Sequence, residues 1–465
     1  MVEHPLTRRH LLAAVGASGF AGCTGFLGGA PTNRTPGSSS TPGDGTTPSD
    51  RPEQLPYDTS VTHDETAWDG YAPDWSAPTD TPATDDLGAE VLVENLEIPW
   101  DLSVAPTGEL FVTERTGRIV RFEAFADGRG ETVAEPGAVI DAEAVDPGAE
   151  EGSWWVEGGE GGLLGIAVHP TYPDPPLVYA YFTTETDSGT QNAVRAFDVR
   201  DDDPASTSWP IVEGIPADTI HNGGRIEFGP ANYLWITTGD ASEGERAQDP
   251  TDLGGKILRV TPGGDPAPDN PDLGSDADPR IFTLGHRNPQ GISWLPDATP
   301  VVTEHGPGGG DEVNVLRAGA NYGWPEARNG EGYADYADTD YQPPVADAVS
   351  WAPAGSVFYT GDAVHGLRNR LLFGGLIGQL LVAVTLGTDA NPPAVGDGEL
   401  YDGDRYDDRY LAATQERLED ELGRIRHVEQ GPDGDLYAIT SNRDGRASGP
   451  FPGGRDDVLV RLTAE

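Results

Sequence analysis

The stretch that decides the fold is HNGGRIEFGPANYLWITTGD, which occupies residues 221–240. It contains a run of alternating polar and apolar residues from Arg225, a Gly-Pro turn, and a second apolar run that ends at Thr238. Alternation with a period of two and a bounding turn are typical of two β-strands in a hairpin. Such a hairpin would return Asp240 to the end at which His221 lies. The sequence therefore predicts a β unit with an imidazole and a carboxylate at one end.

This end of the hairpin has the residue types of a proton-transfer site. Histidine is the side chain best suited to take up a proton near neutral pH, and a carboxylate can orient the imidazole and stabilise its charged form. Gly223 and Gly224 leave the backbone bare, so that a flat ligand could lie against it. The alternative is a structural hairpin with a surface histidine, and these residues alone do not exclude it.

The same unit, a strand followed by a turn and an apolar strand, recurs along the chain. Its copies, some of them weak, occupy residues 102–113, 165–170, 225–238, 291–296, 355–359 and 431–440. They lie roughly 60 residues apart, a spacing that suits four-stranded blades with long loops. We predict an all-β fold over residues 89–465, a six-bladed β-propeller with four-stranded antiparallel blades. The alternative is a pair of β-sandwiches, which the repeat spacing disfavours.

The two ends of this region predict how the ring closes. Val91–Val93 at its start and residues 458–462 at its end are both short apolar strands. Pairing them in one sheet would close the ring and remove two open edges.

The first 88 residues have a different composition. Arg8 and Arg9 precede a weakly apolar run that leads to Cys23, the only cysteine. A twin arginine before such a run predicts a Tat-type lipoprotein signal peptide over residues 1–23, with lipid attachment at Cys23 on the outer face of the cell membrane. Residues 24–88 are rich in Thr, Pro, Gly and Asp, which predicts a disordered linker that precedes the propeller.

Charge excludes one class of partner. The chain has 29 basic and 78 acidic residues, a net charge of −49, and the acidic residues are spread along its whole length. A polyphosphate would be repelled, so we expect no nucleic acid partner. Screening by concentrated salt would remove the self-repulsion, and Lys256 is the only lysine. The composition therefore predicts a halophilic protein.

Four loops between the predicted strands carry unusual polar residues. Residues 157–165 combine carboxylates with glycines, and residues 285–291 contain His, Arg, Asn and Gln in one turn. Residues 304–314 offer carboxylates and bare backbone carbonyls, the oxygen ligands that calcium prefers. Residues 422–426 place Arg424 and Arg426 on one face of a strand. In a propeller such loops surround the mouth of the central channel, which is where we expect the functional site.

Together these loops resemble those of the soluble quinoprotein glucose dehydrogenases, and more closely their aldose sugar dehydrogenase branch. The resemblance covers roughly residues 93–462, and it includes the hairpin ends at His221 and Asp240 as well as these four loops, six motifs in the same order. It implies a six-bladed propeller that holds pyrroloquinoline quinone (PQQ) and calcium at the channel mouth. It also implies oxidation of aldose sugars at C1 to lactones. The electrons would pass to an external acceptor such as a quinone, a cytochrome or a copper protein.

The resemblance also assigns roles to individual residues. It implies that His221 takes the proton of the C1 hydroxyl while hydride passes to the quinone, with Asp240 supporting His221 and Arg287 acting at the quinone oxygens. The carbonyls of Gly306 and Pro307 would bind calcium. The residues that it implies for contact with the cofactor are Glu160, Arg287, Asn288, His305, Arg424 and Arg426.

One departure from the family pattern leaves other functions open. Ile377 stands where the family has a Lys or Arg that contacts the cofactor. A hydrolytic, lactonase-like calcium propeller would share the architecture, but it would need a ring of carboxylates and Asn at the channel bottom, which the sequence does not reveal. A non-catalytic propeller at the cell surface is the other alternative, and Ile377 is the feature that favours it.

Overall fold

Six antiparallel sheets arranged as a ring form the structure, a computed structural model that describes residues 55–82, 87–123, 130–137 and 159–464. The predicted signal peptide and Cys23 lie outside the described residues. Within them, no helix is both long and apolar enough to cross a bilayer. The predicted six-bladed β-propeller is confirmed, and the sandwich alternative is wrong because each blade contacts the next around a closed ring.

The strands are given in chain order. Strand β1 spans Leu87–Val93. Blade 1 contains β2 (Pro99–Val104), β3 (Leu110–Glu114), β4 (Arg118–Phe122) and β5 (Glu131–Ala134). Blade 2 contains β6 (Leu163–Val168), β7 (Leu177–Thr186), β8 (Gly189–Asp198) and β9 (Trp209–Pro216). Blade 3 contains β10 (Ile226–Phe228), β11 (Leu234–Thr238), β12 (Lys256–Val260) and β13 (Ile281–Leu284).

Blade 4 contains β14 (Pro289–Trp294), β15 (Pro300–Glu304), β16 (Asp311–Val315) and β17 (Ala346–Ala348). Blade 5 contains β18 (Pro353–Tyr359), β19 (Arg370–Gly375), β20 (Leu380–Gly387), β21 (Glu399–Tyr401) and β22 (Leu411–Arg417), and β21 adds a fifth strand outside β22. Blade 6 contains β23 (Ile425–Gln430), β24 (Leu436–Thr440) and β25 (Leu459–Ala464). The short 3₁₀ helices are Glu65–Ala67, Gly244–Gln248, Tyr336–Asp338 and His365–Leu367.

Blade 6 closes the ring with strands from both ends of the propeller. Strand β1 pairs antiparallel with β25, and the register places Val91 opposite Val460 and Val93 opposite Leu459. This confirms the predicted closure. The pairing fixes the first strand of the propeller by hydrogen bonds to the last, so that neither strand is left with an open edge on that side.

The innermost strands of blades 1 to 5 overlap the first five repeated units, whereas the sixth unit begins just after the innermost strand of blade 6 and contains β24. The six innermost strands are β2, β6, β10, β14, β18 and β23, and they contact one another around the central channel. Side chains tie neighbouring innermost strands together, for example Ser293, whose hydroxyl accepts the N–H of Phe358 at 2.7 Å. Since the loops that enter these strands meet at one mouth of the channel, residues distant in sequence are brought together there.

Residues 55–82 run over the outside of the propeller. Trp68 packs against the apolar cluster around Trp235, and Trp75 lies edge-on to Phe358 with ring centroids 5.2 Å apart. Arg370 donates to the carbonyl of Asp80 at 2.7 Å. For these residues the expectation of a disordered linker up to residue 88 is corrected, because their aromatic side chains bury apolar surface that offsets the ordering cost.

Candidate active site

His221 and Asp240 meet at the end of the β10–β11 hairpin, as the sequence predicts. His221 Nδ1 lies 2.8 Å from Asp240 Oδ1. The residues before β10 fold back tightly, with His221 at a φ of 61° and its carbonyl accepting the N–H of Ala241 at 3.1 Å. A side chain at Gly239 would clash with this carbonyl, which explains the glycine beside Asp240. The local backbone thus holds the imidazole against the carboxylate.

The surroundings of Asp240 fix which nitrogen of His221 is available. Its Oδ2 accepts the indole N–H of Trp324 at 2.8 Å, and its Oδ1 also accepts the N–H of Ser242 at 2.9 Å. A carboxylate can only accept, so Nδ1 of His221 carries a hydrogen, and in the neutral imidazole the lone pair is at Nε2. The side chain of Asp240 is buried and that of His221 is 12% exposed. The pair therefore offers a proton acceptor at Nε2.

Asn288 and Arg287 line the same end of the channel from blade 4. Asn288 Oδ1 accepts the N–H of Gly223 at 3.0 Å, whereas its buried Nδ2 has no partner among the described residues. Arg287 donates from Nη1 to the carbonyl of His305 at 3.1 Å, and its guanidinium lies over the ring of Trp324. Blades 3 and 4 are thereby joined, and one amide donor is left for a ligand.

The neighbouring His286 braces this loop. It is fully buried, with Nδ1 2.8 Å from Glu304 Oε2 and Nε2 2.9 Å from the hydroxyl of Thr283. The other oxygen of Glu304 accepts the N–H of Arg287. Because both ring nitrogens have partners, His286 positions Arg287 and takes no proton from a ligand.

His305 is half-buried in the wall of the site. Its N–H donates to the carbonyl of Asn288 at 3.1 Å, and its Nε2 has no partner within the part of the chain that is described. Burial lowers the pKa of His305 to about 3. At neutral pH it is an uncharged ring suited to hydrogen bonding, and a far weaker base than an ordinary histidine.

Arg424 and Arg426 share one carboxylate, that of Asp444. Asp444 Oδ2 accepts from Arg424 Nη2 at 2.7 Å and lies 3.5 Å from Arg426 Nη2. Arg426 also donates to Gln290 Oε1 at 3.1 Å. Burial lowers the pKa of Arg426 to about 9, so it stays charged at neutral pH. Two guanidinium groups against one carboxylate leave a net positive charge at the channel mouth.

Glu160 connects this cluster to His221. Its Oε2 accepts the N–H of His221 at 3.1 Å, and its Oε1 pairs with Arg446 Nη1 at 2.9 Å. Burial disfavours its charge, but His305, Arg446 and the N–H of His221 together lower the pKa of Glu160 to about 2. Glu160 is thus an anion at the edge of the site at every physiological pH.

A cleft of about 300 Å³ lies between these groups. The residues that line it include Trp100, Arg115, Glu160, Gln290, His305, Ile377, Arg424, Arg426 and Arg446. Ile377 is 68% exposed and is the large apolar side chain at its rim. With Arg426 Nε also lacking a partner among the described residues, the cleft has the charge and the donors to hold a flat anion with several carboxylates.

The Gly306–Pro307 loop fits a metal only in part. The carbonyl of Pro307 accepts a hydrogen bond from Arg328 Nη1 at 3.2 Å, and both oxygens of Asp311 accept backbone N–H groups. In the described ranges no group of three or more His, Cys, Asp or Glu side chains is arranged to hold a metal ion. Calcium requires six or more oxygens, so this loop would need a ligand or water to supply most of them.

Further along the innermost strands, the channel contains carboxylates that the sequence analysis missed. Asp101, Glu227 and Glu429 come from three different blades and line a second cavity of about 630 Å³. Asp101 forms an ion pair with Arg225, and His427 Nε2 lies 3.3 Å from Glu429 Oε2. The sequence did not reveal this group, because its three members lie on strands of three different blades. Asp101 thus contacts a guanidinium and Glu429 an imidazole, and the three carboxylates form no metal cluster among the described residues.

The family follows from a comparison with known proteins. Residues 96–449 match the model of the family described as glucose/sorbosone dehydrogenase. The chain belongs to this family. It is 29% identical over 388 residues to an aldose sugar dehydrogenase of Escherichia coli K12, an alignment that covers 80% of this chain and 93% of that protein.

Solved structures of family members share the architecture. A putative oxidoreductase (glucose dehydrogenase) from a Thermus species is 37% identical, with a TM-score of 0.63 over 81% of this chain and 99% of that one. The PQQ-bound aldose sugar dehydrogenase of Streptomyces coelicolor is 32% identical, with a TM-score of 0.62 over 84% of this chain and all of that one. The chain is thus an oxidoreductase of the propeller type.

All the predicted site residues lie around one end of the channel, but sequence analysis missed several residues of the site, among them Asp444, Arg446 and Trp324. Asp444 and Arg446 lie in the turn after β24, and Trp324 lies in a loop after β16. Nothing in their local pattern marks a site, since their roles depend on contacts with other blades. The one available signal was the polar run at residues 442–445, which follows β24 in the same blade as Arg424 and Arg426.

Proposed function

We propose that this protein oxidises aldose sugars at C1 to lactones with PQQ as the electron acceptor in the site. The observation that carries the proposal is the His221–Asp240 pair beside an arginine-rich cleft. The family and the PQQ-bound relative support the cofactor. We include a glucose-type specificity in this proposal on the basis of the same resemblance.

The cleft residues fit PQQ, which carries three carboxylates and an ortho-quinone. Arg424 and Arg426 would hold carboxylates, whereas Arg287 and Asn288 Nδ2 would donate to the quinone oxygens. His305 Nε2 supplies a further hydrogen-bonding atom without a partner among the described residues. When bound, PQQ supplies an acceptor for two electrons as hydride.

The residues of the chain then account for the proton. His221 Nε2 accepts the proton of the C1 hydroxyl while hydride leaves C1, so that the C1–O bond becomes a carbonyl. Asp240 keeps Nδ1 protonated and stabilises the imidazolium that forms. Trp324 holds Asp240 by its indole N–H. Glu160 holds the backbone of His221 in place.

Calcium belongs to the proposal as an ion held jointly by the cofactor and the carbonyls of Gly306 and Pro307. Because the loop alone offers few oxygens, retention of calcium and of PQQ should depend on each other. Chelation is expected to abolish activity and to raise the dissociation constant of PQQ together, measured by dialysis with and without a calcium chelator. Full activity after thorough chelation would contradict this role.

We further propose that an external quinone, cytochrome or copper protein accepts the electrons outside the cell, where lipid attached to Cys23 anchors the protein to the membrane. The twin arginine and the single cysteine support this proposal. Replacing Cys23 with Ser should release the protein from the membrane fraction into the medium, as followed by immunoblotting. Equal retention of the variant would contradict lipid anchoring at this residue.

The test of the function is reconstitution of purified apoprotein with PQQ, calcium and an artificial electron-acceptor dye. Reduction of the dye with aldoses is expected, together with the appearance of the lactone. Turnover of esters or lactones without dye reduction would instead support the hydrolytic alternative. Absence of both turnover and PQQ binding would support the alternative of a non-catalytic propeller.

A further inference from the structure

The cleft has an apolar residue at a position where charge is expected. Ile377 lies in the turn between β19 and β20, is 68% exposed, and faces a cleft otherwise rich in arginines. An isoleucine cannot hold a carboxylate, so one side of the proposed cofactor would lack a cation there.

Arg446 lies on the same rim, on the loop after β24. Its side chain is 40% exposed and lines the same cleft, with Nη1 2.9 Å from Glu160 Oε1. Its backbone N–H donates to Asp444 Oδ1 at 3.0 Å, while the other oxygen of Asp444 accepts from Arg424 and Arg426. One carboxylate therefore positions all three arginines relative to one another.

A side-chain clamp holds the loop of Arg446 next to the turn of Ile377. Gln379 Oε1 accepts the N–H of Ser448 at 2.7 Å, and Gln379 Nε2 lies 3.3 Å from the carbonyl of Ser448. Gln379 is two residues from Ile377, and Ser448 is two residues from Arg446. The clamp fixes the two rim positions as neighbours across blades 5 and 6.

We propose that Arg446 binds a carboxylate of the cofactor on the side where Ile377 stands, and thus supplies the missing cation from a neighbouring blade. This inference rests on the proposed function. A guanidinium has five donors in a planar fork, so Arg446 can keep its contact with Glu160 while it donates to a cofactor carboxylate. Glu160 and the cofactor then lie on two sides of one cation.

The test measures binding of PQQ, not turnover. The dissociation constant is measured by quenching of tryptophan fluorescence, in the presence of calcium, for the wild type, Arg446→Gln and the control Arg368→Gln. Arg368 is similarly exposed, at 44%, and pairs with Asp362 away from the cleft. Loss of a charged hydrogen bond should weaken binding about 10- to 100-fold in Arg446→Gln alone. Equal melting temperatures of the variants establish that they are folded.

Two second-site variants separate a direct contact from a structural role. Ile377→Lys in the Arg446→Gln background should restore most of the affinity, since it returns a cation to the same rim. Adding Arg446→Gln to Glu160→Gln should still weaken binding, because the contact proposed is with the cofactor and not with Glu160.

Three outcomes would overturn the inference: unchanged affinity in Arg446→Gln, no restoration by Ile377→Lys, or no further loss in the Glu160→Gln background. These outcomes differ from failure of the proposed function. If the wild type itself binds no PQQ, the proposed function fails. If the wild type binds PQQ and Arg446→Gln binds it equally well, only the role of Arg446 fails.

Discussion

At the scale of single residues, three histidines near the channel mouth have different environments that separate their roles. His286 has both ring nitrogens in hydrogen bonds, and burial lowers the pKa of His305 to about 3. His221 has one nitrogen on Asp240 and the other available. The geometry thus supports the histidine that the sequence indicated, and it supplies a reason against the other two.

The kinetic prediction concerns His221. Positioned acid–base catalysis contributes roughly 100- to 10,000-fold, so His221→Ala should slow hydride transfer by about that factor while binding of PQQ is retained. Asp240→Asn should cost less, because the carboxylate assists the base without replacing it. The measurement is pre-steady-state reduction of bound quinone by an aldose.

His305→Ala is the control for this comparison. It should weaken binding of the cofactor more than it slows the proton-transfer step. If His221→Ala reduces the quinone at nearly the wild-type rate while His305→Ala does not, His305 is the base and the assignment is wrong.

At the scale of elements, the strands were predictable and the convergence of their loops was predictable only in part. The repeats locate the innermost strand of blades 1 to 5, and in blade 6 the strand next to it, because a strand and its turn are local features of sequence. His221 and Asp240 belong to one hairpin, so their contact followed from local geometry. Asp444, in the turn after β24, orients Arg424 and Arg426 at the start of β23. Asp101, Glu227 and Glu429 come together from three different blades. No local pattern encodes such contacts.

The carboxylates in the channel predict a dependence of stability on pH. Burial raises the pKa of Glu429 to about 8, and burial together with the charge of Glu429 raises that of Glu227 well above its ordinary value of 4.5. A carboxyl group whose pKa is raised by folding binds more protons in the folded state. The free energy of unfolding should therefore fall as the pH rises from about 4.5 to about 8.

Glu429→Gln tests this dependence, since it removes one of the carboxyl groups whose pKa burial raises. The variant should be more stable than the wild type at pH 8, should differ little near pH 5, and should show a flatter profile between them. Denaturant unfolding in molar salt measures this, with the exposed Glu213→Gln as the control. A profile as steep as that of the wild type would show that other groups cause the dependence.

At the scale of the whole molecule, charge is the dominant feature. The net charge of −49 comes from acidic residues spread along the chain, so the folded propeller concentrates repulsion that the unfolded chain relieves. Surface ion pairs such as Arg455–Glu94 stabilise the folded state, and salt weakens this attraction as well. With 78 acidic and 29 basic residues, repulsive pairs outnumber attractive ones.

Salt should therefore stabilise this protein, which is the halophilic character that we propose from its composition. Since the Debye length falls from about 10 Å at 0.1 M to about 3 Å at 1 M, the melting temperature should rise steeply over this range. Buried pairs such as Asp101–Arg225 are screened much less and should not cancel the gain. Calorimetry in potassium chloride measures the rise, and sucrose at equal osmolality is the control for effects other than screening. An equal melting temperature in dilute and molar salt would show that surface repulsion does not limit the stability of the propeller.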